Sequence, residues 1–65
     1  MTTVERDNKI LELLSKGKTA KQIEELIGIS DRTVQYRIDV LKAAHEAENI
    51  PQLVTIAIKK KLIKI

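Results

Sequence analysis

The sequence has no cysteine, no tryptophan and no phenylalanine, and its 65 residues include one tyrosine, one histidine, one proline and two glycines. Without cysteine no disulfide can form, and a lone histidine cannot assemble a Cys/His zinc site. No run approaches the roughly 20 apolar residues of a membrane span, and no segment resembles a signal peptide. These absences predict a cytoplasmic protein without a metal, a cofactor or membrane association.

The length also limits the function. A chain of this size is one domain at most, over residues 1–65, and it buries only roughly 60% of the surface that its unfolded form exposes. A large enclosed active site is excluded on size, and the sequence has no phosphate-cradling glycine loop. Ser30 has no general base nearby, which favours a helix cap over a nucleophile. His45 has no catalytic or metal partner, which favours a surface residue. The sequence therefore predicts a protein that is not an enzyme and has no evident small-molecule ligand.

Charge is distributed unevenly along the chain. Residues 1–49 hold eight basic and nine acidic side chains, whereas Lys59, Lys60, Lys61 and Lys64 have no acidic residue among residues 50–65. Such an asymmetry points to an anionic partner such as nucleic acid. The alternative is a solvated face that complements the negative end of a C-terminal helix. The two interpretations are compatible.

Helix-start signals occur four times, and apolar residues at helical spacing follow each of them. The signals are the capping-box pairs Thr2 with Glu5 and Thr19 with Gln22, the N-cap residue Ser30, and Pro51 in a first turn. Glycines at positions 17 and 28 suit the ends of the first two helices. No alternating pattern indicates a strand. The sequence predicts an all-α fold with four helices.

The second and third helices, joined by Gly28-Ile29-Ser30, form a helix-turn-helix pattern over about 19–44. The second helix is expected to carry Ile23, Leu26 and Ile27 on one face, and the third to carry Val34, Ile38 and Leu41 inward. The outward positions of helix 31–44 are Arg32, Gln35, Tyr36, Asp39 and Lys42. A polar outward stripe fits the DNA major groove, although the pattern alone also allows a plain helical interaction module.

The fourth helix, predicted at about 50–64, has more apolar residues than one small core can cover. They are Leu53, Val54, Ile56, Ala57, Ile58, Leu62 and Ile63. A monomer of this size would leave part of this surface in water, which predicts that the helix packs against a second copy of the chain.

Segment 10–63 resembles the LuxR/GerE-type helix-turn-helix, the DNA-binding domain of many bacterial response regulators and small stand-alone regulators. The motifs that carry the resemblance are Ile10-Leu11-Glu12-Leu13-Leu14 with Gly17, Lys21-Gln22-Ile23, Ile29-Ser30 with Thr33-Val34, and Ala57 with Leu62-Ile63. Each motif is weak alone, but their joint spacing, without gaps, is fairly specific.

The resemblance implies sequence-specific binding of double-stranded DNA by a homodimer that regulates transcription. By position, the base-reading residues would be Gln35, Tyr36 and Asp39. The phosphate contacts would be Lys21, Arg32, Thr33 and Lys42. The dimer interface on the C-terminal helix would include Leu53, Val54, Ala57 and Lys61.

The sequence departs from the family pattern at three places. Glu24 replaces a small alanine and Arg37 replaces a histidine, and we expect these two side chains to form an ion pair across the turn. Ala44-His45-Glu46 replaces Lys-Leu-Gly, which suggests a longer helix or a different bend before the fourth helix. Lys61 replaces a glycine, so the fourth helix is expected to continue towards Ile65.

Several functional assignments have a structural alternative. Asp39 is expected either to accept a hydrogen bond from a cytosine amino group or to form an ion pair with a nearby basic residue such as Lys42. Tyr36 suits DNA contact or packing. Residues 18–42 hold five basic and four acidic side chains, a weak net charge that keeps a small protein–protein adaptor or inhibitor as the alternative function. A winged helix is disfavoured because no strand pair follows the third helix.

Overall fold

The computed structural model describes residues 2–63, which form four α-helices and contain no strand. The helices are α1 (Thr3–Ser15), α2 (Ala20–Ile27), α3 (Asp31–Ala44) and α4 (Ile50–Lys59). The all-α prediction with four helices is confirmed for this part of the chain. Among these helices, none combines the length and the apolar content that crossing a bilayer needs.

Each helix begins at a side chain that accepts a hydrogen bond from a backbone N–H three residues further on. The caps are Thr2, Thr19, Ser30 and Asn49. Thr19 forms a complete capping box, since its Oγ1 accepts from Gln22 N at 3.2 Å and Gln22 Oε1 accepts from Thr19 N at 2.9 Å. These oxygens satisfy N–H groups that have no partner inside the helix. The three N-cap residues predicted from the sequence are confirmed, and Asn49 was missed. The predicted capping box of Thr2 with Glu5 forms only in part, since Glu5 Oε1 accepts from Thr2 Oγ1 at 3.1 Å.

The ends of α1, α3 and α4 share one turn geometry. After each helix, a backbone N–H reaches back five residues, as in Lys18 to Leu13 at 3.1 Å, Ala47 to Lys42 at 2.8 Å and Leu62 to Ala57 at 2.9 Å. The residue before each of these donors has a positive φ, and it is Gly17, Glu46 or Lys61. This is the Schellman arrangement, which satisfies carbonyls at a helix end.

The third helix has the predicted bounds, 31–44, and of the two expected links to α4 the different bend is the one that forms, because Glu46 adopts a φ of 57°. The expected length of the fourth helix is wrong, since α4 ends at Lys59 and Lys61 has a φ of 58°. The predicted span 50–64 is too long, and its end at residue 64, like the continuation to Ile65, lies outside the described residues.

One apolar core joins the four helices. Its members are Ile10, Leu11, Leu13, Leu14, Ile23, Val34, Ile38, Leu41, Leu53, Ala57 and Ile63. α2 packs chiefly against α3, while α1 contacts both α3 and α4. Because α2 is short and has one main neighbour, it buries only a narrow stripe, and Leu26 is 58% exposed. Of the three apolar residues predicted on one face of this helix, Ile23 is buried and Ile27 is half-buried, whereas Leu26 is left in solvent.

The turn of the helix-turn-helix has the predicted form. Gly28 caps α2 in the left-handed conformation with a φ of 77°, and Ile29 packs against the core. Ser30 then begins α3 by accepting from Thr33 N at 3.2 Å. This link holds α2 and α3 against each other and leaves one side of α3 uncovered by the other helices.

Candidate nucleic-acid interface

The uncovered side of α3 carries the side chains predicted to read DNA bases. Gln35, Tyr36 and Asp39 are all exposed, and Tyr36, the aromatic residue of the chain, is 63% exposed. The opposite side of the helix holds the buried residues Val34, Ile38 and Leu41. A ring and two polar side chains on one outward surface give a helix the outline and hydrogen-bonding groups that a major groove can accept.

Asp39 forms an ion pair with Lys42, its Oδ1 lying 3.6 Å from Nζ. The pair joins residues one turn apart, and the Asp39 side chain is 74% exposed. Exposed pairs of this kind contribute little to stability. Lys42 thus offsets the negative charge of Asp39 on this surface, and the exposed carboxylate is still free to accept a hydrogen bond from an approaching base.

A groove of about 530 Å³ runs between the end of α1, the start of α2 and the outer side of α3. Its lining includes Lys18, Thr19, Gln35, Asp39, Lys42 and Ile50. The groove therefore brings the N-terminus of α2 beside two of the base-reading candidates. Backbone N–H groups and the helix dipole make such a terminus favourable for a phosphate.

The predicted phosphate-binding residues flank this surface. Lys21 in the first turn of α2 and Arg32 in the first turn of α3 are exposed. Thr33 is half-buried, and its hydroxyl accepts a hydrogen bond from Ser30 Oγ at 3.0 Å. The Thr33 hydroxyl proton is still available to a phosphate oxygen, because this contact uses only a lone pair.

Lys18 is a basic residue of the groove that the sequence analysis did not assign. It precedes the N-cap of α2, where a cation beside exposed N–H groups suits an anionic ligand. Its position before a capping box was the available signal. Ile50 was also missed, because its place in the groove depends on how α4 packs across α3.

Of the C-terminal lysines, Lys60 lies near the end of α3, and Lys64 lies outside the described residues. Lys60 Nζ is 3.3 Å from His45 Nδ1, and Lys59, Lys60 and Lys61 are exposed. Lys59 lies in the last turn of α4, where a cation complements the negative end of the helix. The solvated-face interpretation is thus consistent with their placement, and an anionic partner could also reach them.

Arg37 does not pair with Glu24, so that expectation is wrong. Its Nε donates to Asp7 Oδ1 at 3.0 Å and its Nη2 donates to Asp7 Oδ2 at 2.6 Å. The hydrogen bonds to Asp7 raise the pKa of the Arg37 guanidinium above its usual value, while partial burial opposes that change. Arg37 points towards α1 because the packing of α1 against α3 places a carboxylate within its reach.

The predicted dimer residues fall into two groups. Leu53 and Ala57 have no exposed surface in the single chain, so neither can contact a second copy, and their assignment to the interface is corrected. They face inward because α4 packs against α1 and α3. Val54 is only half-buried and Lys61 is exposed. Ile58, which was not assigned, is half-buried one turn after Val54.

Residues 3–57 match the model of the GerE family, described as bacterial regulatory proteins of the luxR family. The matched region covers α1, α2 and α3 and most of α4. No solved structure matches the chain.

Proposed function

The chain belongs to the luxR family of bacterial regulatory proteins, and from that premise we propose that it binds specific sites on double-stranded DNA as a homodimer. Family membership points to DNA-binding transcription regulation rather than to an enzyme. The finer proposal is that α3 enters the major groove and that α4 forms the contact between two copies.

One observation carries this proposal: the side of α3 that the protein leaves uncovered is polar and bears an exposed Tyr36. An apolar stripe buried on one side and a polar stripe exposed on the other are what a recognition helix needs. The ring of Tyr36, largely uncovered by the protein, is available to a bound duplex.

Base reading is assigned to Gln35, Tyr36 and Asp39. Gln35 can form two hydrogen bonds with the major-groove edge of adenine, and Asp39 can accept from the amino group of cytosine. Lys42 supports the second contact, since it lies 3.6 Å from Asp39 and reduces the repulsion between that carboxylate and nearby phosphates. Tyr36 supplies apolar contact area next to these groups.

Phosphate contacts are assigned to Lys21, Arg32, Thr33 and Lys42, together with Lys18 at the groove. Contacts of this kind set the position of a protein on the duplex and carry no direct sequence information. Along α3, Arg32 and Thr33 precede the base-reading residues and Lys42 follows them, while Lys18 and Lys42 share the groove with Gln35 and Asp39. The expected interface therefore has phosphate-binding groups at both ends of a polar centre.

The dimer contact is assigned to the part of α4 that the core does not cover, at Val54 and Ile58, with Lys61 at the end of the helix. Two-fold symmetry brings the same surface of both copies together. Two recognition helices then lie about one duplex turn apart, so the DNA site is a pair of roughly palindromic half-sites.

The proposal is tested by selecting binding sites from a random duplex library and measuring mobility shifts on the selected and a scrambled duplex at about 50 and 200 mM salt. Binding is expected to weaken with salt, since each neutralised phosphate contributes a slope of roughly −0.9 in log K against log salt. Lys21→Ala should weaken binding to both duplexes and reduce that slope by about 1. Gln35→Ala should reduce the preference for the selected site by roughly 1–3 kcal/mol.

Lys9→Ala is the matched control, since Lys9 pairs with Glu12 on α1, which carries none of the assigned DNA contacts. This variant should change neither the salt slope nor the preference. Absence of binding to any duplex at low salt would contradict the proposal and support the protein–protein adaptor, which the near balance of basic and acidic residues over 18–42 favours.

A further inference from the structure

Asp7 and Arg37 form an ion pair that joins the first half of α1 to the middle of α3. Two hydrogen bonds of 3.0 and 2.6 Å connect the side of the guanidinium to both carboxylate oxygens. The side chains are only 12% and 20% exposed, for Asp7 and Arg37 respectively. The remaining ion pairs within residues 2–63 join positions three or four apart on one helix. This pair is thus the one that ties two of the described helices together.

Arg37 occupies a distinctive position on α3. It follows Tyr36 directly and lies two residues from both Gln35 and Asp39. Successive residues of an α-helix are about 100° apart around the axis. Any rotation of α3 about its axis therefore moves Arg37 and the three base-reading candidates together.

The buried stripe of Val34, Ile38 and Leu41 sets which side of α3 faces inward. Hydrophobic burial has no directional preference, so this stripe alone leaves the exact rotation angle of the helix loosely defined. A bidentate guanidinium–carboxylate pair is different, since both hydrogen bonds need the two planar groups to be aligned. Fixing Arg37 against α1 consequently sets the exact angle at which the outward side of α3 is held.

We propose that the Asp7–Arg37 pair is a positioning device that holds α3 at the rotation in which Gln35, Tyr36 and Asp39 face the bases. Asp7 and Arg37 then determine base discrimination without touching DNA. This inference rests on the proposed DNA-binding function. It assigns to α1 a part in specificity, since α1 supplies the carboxylate.

The geometry favours a role in orientation over a role in stability. Moving two charges out of water opposes the attraction between them, so a buried pair is weak evidence of net stabilisation. The two hydrogen bonds still fix the orientation of the guanidinium relative to the carboxylate, whether or not the pair adds to the free energy of unfolding. Removing one partner leaves a partly buried charge without its counterion, which lowers stability. Variants are therefore compared only where they keep their helices, and there they are expected to lose the fixed rotation of α3.

The test compares Asp7→Asn and Arg37→Lys with the unchanged protein on the selected and the scrambled duplex. Dissociation constants are measured by fluorescence anisotropy at a temperature where circular dichroism shows each variant folded. Arg37→Lys keeps the positive charge but cannot form two parallel hydrogen bonds. The preference is the dissociation constant for the scrambled duplex divided by that for the selected duplex. We expect this ratio to fall about tenfold, an effect as large as the loss of one good base contact. Affinity for the scrambled duplex should be nearly unchanged.

The double variant Asp7→Asn with Arg37→Lys should lower the ratio no further than either single change, because all three remove the same contact. Glu12→Gln is the control on α1. Glu12 pairs with Lys9 at 3.2 Å and Lys16 at 3.6 Å on the surface, and the hydrogen bond from Lys9 lowers the pKa of Glu12. Its replacement should leave the ratio unchanged.

Three results would overturn the inference. If neither affinity changes in folded Asp7→Asn and Arg37→Lys, the pair does not position α3. If the affinities for both duplexes fall equally, so that the ratio is unchanged, the role of the pair is purely structural. If Asp7→Asn does not fold, Arg37→Lys alone decides between these results. If the unchanged protein binds no duplex, the proposed function falls and this inference falls with it.

Discussion

Two residues that are not glycine, Glu46 and Lys61, hold left-handed backbone conformations, with φ values of 57° and 58°. This conformation costs a residue with a side chain roughly 1–2 kcal/mol. Each turn places the next residue, Ala47 or Leu62, against the core. The apolar contact and the helix-end hydrogen bond therefore offset the strain at the residue before it.

Glu46→Gly and Lys61→Gly should each raise the free energy of unfolding, by about 0.5–1 kcal/mol after allowing for the greater freedom of glycine in the unfolded chain. Urea denaturation monitored by circular dichroism measures the change. Gly28→Ala is the matched test and should lower the free energy of unfolding, because alanine disfavours the φ of 77° at this position. An added Cβ would meet no atom within 4 Å, so the backbone conformation alone accounts for the change. A destabilised Lys61→Gly variant would show that the Lys61 side chain makes a stabilising contact.

At the scale of the element, α4 distributes its apolar residues over more than one surface. Leu53 and Ala57 lie wholly inside the protein, whereas Val54, Ile56 and Ile58 are half-buried and Ile50 is exposed. The helix also ends at Lys59. The apolar surface that α4 leaves uncovered is therefore smaller than the apolar sequence of residues 50–63 suggests, and the proposed dimer contact uses its part at Val54 and Ile58.

Val54→Lys and Ile58→Lys should each produce monomers in sedimentation equilibrium, because a buried lysine without a partner at the two-fold contact carries a large desolvation cost. Gln52→Lys provides the control, since Gln52 is exposed on the other side of α4 and should leave the dimer intact. Dimers that persist in both lysine variants would place the contact elsewhere on the protein.

The whole molecule is small, and eleven apolar side chains form its described core. A core of this size rarely contributes more than roughly 3–5 kcal/mol, and the chain has no cysteine with which to form a disulfide. Dimer formation would add the missing stability, because a partner that binds only the folded chain shifts the folding equilibrium.

The melting temperature should consequently rise with protein concentration. Thermal unfolding followed by circular dichroism at three concentrations, each about tenfold apart, measures this dependence. The Ile58→Lys variant should melt at one temperature throughout, and lower than the unchanged protein. A melting temperature that is independent of concentration in the unchanged protein would contradict a dimer that is linked to folding.

Much of the fold could be predicted because its signals are local. The N-cap of α2 is Thr19, which pairs with Gln22, and the N-cap of α3 is Ser30. In both cases the hydrogen bonds span three residues. The polar side of α3 is likewise a matter of spacing along one helix. For that reason Gln35, Tyr36 and Asp39 could be placed together on an exposed surface from the sequence, while their roles in DNA binding stay a proposal.

Other features depend on which helices meet, and only the tertiary structure decided them. Arg37 pairs with Asp7 rather than with Glu24 because α1 packs beside α3. Leu53 and Ala57 face inward because α4 packs across α1 and α3. Caps, turns and amphipathic stripes are determined by neighbours within about one helical turn, and the sequence specifies them directly. The partner of a long side chain and the covered part of an apolar helix are determined by contacts between distant segments, which exist only once the chain has folded.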